Sequence, residues 1–108
     1  MYEYSAEIIR WIDGDSVILN VDLGFRLHRE DSFRLLGINT PELRGSDRPR
    51  GLQAKAYVEA AAPVGSTVLI RTEKAGKYGR WLCTILTENN RELIKDMLAD
   101  GVGVPFMT

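Results

Sequence analysis

Residues 12 to 22, I-D-G-D-S-V-I-L-N-V-D, decide how this chain is read. Asp13-Gly14 stands between two apolar segments, which is a strong local signal for a β-hairpin. After it the pattern alternates. Val17, Leu19 and Val21 fall on one face of a strand over Ser16–Asp22, with Ser16, Ile18, Asn20 and Asp22 on the other. Before it, Tyr4–Ile12 is rich in apolar, aromatic and β-branched residues and supplies the first strand.

Working outward, Gly24 allows a turn, and F-R-L-L-G-I within Ser32–Ile38 gives a third strand. Thr40 precedes Pro41 and is therefore expected to be extended. A polar loop follows, and L-Q-A-K-A-Y-V-E-A-A-A at 52–62 predicts a helix that Pro63 and Gly65 stop, with Leu52, Ala56 and Val58 or Glu59 sorting onto opposing faces. Thr67–Thr72 and Trp81–Leu86 read as strands four and five, joined by the glycine-punctuated A-G-K-Y-G-R. Asn89-Asn90 is a turn. Arg91–Asp100 predicts a second helix ending at Gly101. Five strands, with a helix after the third and another at the C-terminal end, match a mainly β, five-stranded Greek-key barrel of the OB type. An α+β sandwich fits the same string less economically.

The 108 residues suit a single domain with one core, and 44% apolar with 27% charged residues is an ordinary globular composition. Fourteen Lys and Arg against fifteen Asp and Glu give a net charge of −1, which argues against coating nucleic acid non-specifically but leaves room for a local basic cleft. Arg44–Lys55 and Lys74–Arg80 are locally basic, a pattern that solvated loops also produce. A lone cysteine, Cys83, excludes an internal disulfide, and with a lone histidine, His28, it speaks against a structural zinc site. The start, M-Y-E-Y-S-A-E, has neither a basic segment nor an apolar one, and no stretch nears the ~18 apolar residues of a membrane span. The expectation is a cytoplasmic or virus-encoded protein without a membrane partner.

Two acidic places stand out: Asp13 and Asp15 at the hairpin, and Asn39, Thr40 and Glu42 in N-T-P-E. A small barrel can bring them side by side, and their carboxylate, amide and main-chain oxygens suit a hard cation. Each alone also reads as turn chemistry. Arg34 lies within an apolar strand, so an inward guanidinium would need an anionic partner. Arg80 stands where a strand begins, and two arginines can grip a phosphate bidentately. Tyr78 could stack on a base. Gly101-Val-Gly103 reads as a helix stop, and Trp11 and Trp81 as core or barrel-rim packing.

I-D-G-D-S-V at 12–17, F-R-L-L-G-I-N-T-P-E at 33–42 and K-Y-G-R at 77–80 resemble the staphylococcal nuclease (thermonuclease-like) family, in order and spacing, from about Ser5 to about Gly103. The resemblance implies a metal-dependent nuclease, of Ca²⁺ type or using Mg²⁺ or Mn²⁺, cleaving flexible or single-stranded DNA or RNA. It implies Asp15 as a direct metal ligand, Asn39 where better-known members carry an aspartate, Thr40 as a main-chain ligand and Asp13 as a supporting acid. It further implies Glu42 as general base, Arg34 and Arg80 on the phosphate, and Lys77 and Tyr78 near the bound nucleotide. The amide of Asn39 removes one charge, so weaker metal binding is expected. The family's usual third helix is missing from the expected domain over 1–108, which implies looser substrate binding in a monomer or weak homo-oligomer. The competing reading is a weak or inactive OB-fold module that binds nucleic acid or protein.

Overall fold

In a computed structural model, described here for residues 2–73 and 80–106, the chain folds around a closed barrel of five strands. These are β1 (Tyr2–Trp11), β2 (Ser16–Gly24), β3 (Leu27–Leu35), β5 (Thr67–Glu73) and β6 (Trp81–Leu86), with β4 (Ile38–Asn39) lying outside the barrel. Their order is β1-β2-β3-β6-β5, with β5 returning to β1, which is the OB-type arrangement expected from the sequence. All neighbours are antiparallel except β3 and β6, which run parallel from Phe33↔Trp81 to Leu35↔Cys83 and close the barrel.

The period-2 rule locates the core. Ala6 and Ile8 on β1, Val17, Leu19 and Val21 on β2, Phe33 and Leu35 on β3, Val68 and Ile70 on β5, and Cys83 and Ile85 on β6 are all buried. Each burial of a large aliphatic side chain contributes about 1.5–3 kcal/mol. The helix α1 (Arg48–Ala61) covers the end of the barrel where β1 runs into β2: the Trp11 indole N–H donates to Ala62 O at 2.9 Å, and Ala54 and Val58 are buried. The helix α2 (Leu93–Ala99) buries Leu93 and Met97, and Gly101, at φ 72°, ends it as expected.

Four expectations need correction. The third strand begins at Leu27, five residues before Ser32, because L-H-R-E-D pairs with β2 from Gly24 to Leu19 while its own side chains are mostly polar and exposed, so no apolar alternation marks a strand. It also ends at Leu35. Gly37, at φ 83°, turns the chain, so Ile38–Asn39 forms a separate ribbon with β7 (Val104–Pro105). The helix starts at Arg48, with Pro49 in its first turn where a missing N–H costs nothing. It buries Gly51, Ala54 and Val58 and leaves Leu52 46% exposed, so the face expected from Leu52 is not the one used. At Gly51 a side chain would collide with the main chain at Glu42, and this close approach seats the helix on N-T-P-E. Finally, Asp13-Gly14 does not form a two-residue turn. Trp11↔Val17 is the last pair, leaving a wider loop whose Asp13 Oδ1 accepts the N–H of Asp15 at 3.0 Å.

Candidate functional site

That loop carries Asp15 inward. Gly14 permits it, because a Cβ there would lie 2.9 Å from both Ala54 Cβ and Thr40 Oγ1. Asp15 is buried at 7% exposure. Its Oδ2 accepts the N–H of Thr40 at 3.0 Å, and its Oδ1 accepts the Ser16 hydroxyl at 3.3 Å. Burial works against the charge of Asp15, yet its hydrogen bonds with Asp13 and Thr40 and the Arg34 guanidinium hold its carboxyl below the usual range. Asp13 moves the other way: burial, and the hydrogen bond and charge shared with Asp15, push it up to about 6. Of the two carboxyls, Asp15 is the more readily ionised, and Asp13 is the one that takes up a proton first as the pH falls towards 6.

Of the two expected arginines, Arg34 reaches this carboxylate directly and Arg80 reaches it through the Ser16 hydroxyl. Arg34 Nη1 lies 3.4 Å from Asp15 Oδ2, with the two side chains only 14% and 11% exposed. Arg34 also donates to Ile38 O at 3.2 Å and to Asn39 Oδ1 at 3.3 Å, and the Phe106 ring lies 5.1 Å from its guanidinium carbon. Arg80 Nη1 donates to Ser16 Oγ at 2.9 Å, and that hydroxyl donates in turn to Asp15. Residues 15, 34 and 80 thus meet within one hydrogen-bonded group.

Glu42 stands apart. Its carboxylate is 67% exposed and accepts from Arg44 Nε at 3.1 Å. It lines, with Asn39, Thr40, Arg50 and Gly103, a cleft of about 540 Å³ bordering the Asp15 group. Lys77 and Tyr78 lie outside the described residues.

The residues present suit a hard cation in donor chemistry. Asp15 Oδ2 and Asn39 Oδ1 already face a single positive group, the Arg34 guanidinium. Thr40 Oγ1 is buried without a hydrogen-bond partner among the described residues. The acid count is low, since no three His, Cys, Asp or Glu side chains cluster among those residues. One participant went unnoticed in the sequence: Ser16 gave no signal beyond its place on the polar face of a strand.

A search of curated proteins finds no match to this chain. A family model described as staphylococcal nuclease homologue matches residues 32–106, taking in Arg34, Asn39–Glu42 and Arg80 while β1 and the Asp13–Asp15 loop precede the matched segment. The chain belongs to the staphylococcal nuclease homologue family.

Proposed function

We propose that this protein is a metal-dependent nuclease that hydrolyses phosphodiester bonds of flexible DNA or RNA. The observation that carries the reading is the convergence of Arg34 and Arg80, 46 positions apart, on the buried Asp15–Ser16 pair. Two guanidiniums gathered on one buried pair of neighbouring residues can clamp the equatorial oxygens of a phosphate, where negative charge grows as a nucleophile attacks in line.

Asp15, Asn39 and Thr40 would hold the cation, with Asp13 supporting Asp15. A bound Ca²⁺ supplies Lewis acidity and orients water. Glu42, at the rim of the cleft, accepts the proton of the attacking water once its carboxylate leaves Arg44. A P–O bond forms to that water oxygen and the bond to the leaving oxygen breaks. Arg34 and Arg80 neutralise the oxyanions throughout.

Two observations favour a second reading, a binding module without activity: Glu42 is held by Arg44, and Asn39 brings an amide where a second carboxylate would strengthen the site. The two readings separate on incubation with denatured DNA and with RNA, each with Ca²⁺, Mg²⁺, Mn²⁺ or a chelator. The nuclease reading expects cleavage that needs a metal and is lost in Glu42→Gln. It also expects Asn39→Asp to lower the Ca²⁺ concentration at half-maximal rate about tenfold or more, because the site regains a full charge. Absence of cleavage by the folded wild type with every metal, alongside retained binding of the strands, would establish the module instead.

A further inference from the structure

The inward rows of the barrel do not end with the core. At the end away from α1, Tyr4 continues the row of Ile8 and Ala6, Leu23 the row of Val17, Leu19 and Val21, and Trp81 the row of Ile85 and Cys83. These side chains, with Thr72, Phe33 and Arg29, line a mouth of about 200 Å³. That is below the ~300–1,000 Å³ typical of drug-sized sites and leaves room for one flat ring. The mouth has its own cation: the Arg29 guanidinium lies 5.9 Å from the centre of the Trp81 ring, with Asp31 at 3.0 Å fixing its other side. A flat aromatic surface edged by a guanidinium suits a nucleobase, whose π-face stacks on rings and whose edge accepts hydrogen bonds.

Position joins this mouth to the phosphate clamp. Trp81 follows Arg80 directly and pairs with Phe33, one residue before Arg34. Alternation along the strand sends the ring to the barrel interior while Arg80 reaches Ser16. A strand held by Arg34 and Arg80 would cross the rim at this point.

We propose that the barrel mouth formed by Trp81, Tyr4, Leu23 and Arg29 is a stacking site for one unpaired base of the strand whose phosphate Arg34 and Arg80 bind. This inference rests on the nuclease reading for the identity of the ligand and adds to that reading a place where one unpaired base is held. In a duplex the bases are already stacked on each other and cannot enter the mouth.

The test is fluorescence anisotropy with a dye-labelled oligodeoxyadenylate, the same backbone with abasic sites throughout, and a duplex, each in chelator so that cleavage does not compete. Wild-type protein should bind the adenine strand about 5- to 100-fold more tightly than the abasic strand. Trp81→Leu should remove that difference, Trp81→Phe should keep most of it, and duplex binding should not respond to either change. The abasic comparison needs no variant, so it decides the matter even where Trp81→Leu fails to fold. Equal affinity of the wild type for adenine and abasic strands, with metal-dependent cleavage present, overturns the stacking site alone. Neither binding nor cleavage of any strand overturns this inference together with the nuclease reading.

Discussion

The loops at the two ends of β2 are opposites. The one before it, residues 12–15, turns a carboxylate inward, packs its glycine against Ala54 and Thr40, and anchors the only buried aspartate among the described residues. The one after it is a two-residue turn, because Gly24 pairs with Leu27 across Phe25 and Arg26. Both central residues there have positive φ, 54° and 62°, a conformation that Asn-Gly accepts and a bulky Phe resists. Phe25 is 97% exposed. The first loop is held by tertiary contacts, and the second by strand pairing and one local bond, the Gly24 N–H donated to Asp22 Oδ1 at 2.8 Å. The contrast shows that the strongest turn signal, Asp-Gly, marks the loop that carries the candidate site, while the tightest turn carries no turn signal at its centre.

Substitutions can break or sharpen that contrast. The largest effect belongs to Asp15→Ala, which leaves the half-buried Arg34 without its carboxylate and the Thr40 N–H without its acceptor. Metal-free protein should lose about 3–5 kcal/mol of stability in a urea titration, whereas a loss under 1 kcal/mol would mean that the loop is not held by Asp15. Gly14→Ala forces a Cβ against Ala54 and Thr40 and should cost about 1–3 kcal/mol in the same titration. An unchanged midpoint would show that the loop yields freely. In the opposite direction, replacing Phe25-Arg26 by Asn-Gly relieves two unfavourable φ angles and should stabilise by about 1–2 kcal/mol. If the midpoint falls instead, the exposed Phe25 is making contacts that its position does not reveal.

The same contrast explains what was legible in the sequence. The barrel could be read because Val17, Leu19 and Val21, and likewise Phe33 and Leu35, alternate against a core that tolerates no slip of register. The first half of β3 could not, because Leu27–Asp31, although paired with Leu19–Gly24 of β2, carries mostly polar, exposed side chains and no hydrophobic period. Arg34 was legible as a charge in an apolar strand that needs an anion, and Asp15 supplies it. The hydroxyl of Ser16, which ties Asp15 to Arg80, was not, since nothing in a single polar strand residue foretells a partner 64 positions away. Helix α1 misled for a related reason. Its close contact with Glu42 requires the absence of a side chain at Gly51, and hydrophobic periodicity registers only side chains that are present.

Arg34 and Arg80, gathered on Asp15 and Ser16, are the proposed phosphate clamp. The most direct measurement is the rate of cleavage of denatured DNA by Arg80→Ala beside the wild type at saturating metal, with thermal unfolding recorded on both. The account predicts a fall of ~10²–10³ in rate with little change in the unfolding midpoint, because the lost guanidinium acts chiefly on charge that develops in the transition state. A variant that folds and cleaves as fast as the wild type would contradict it.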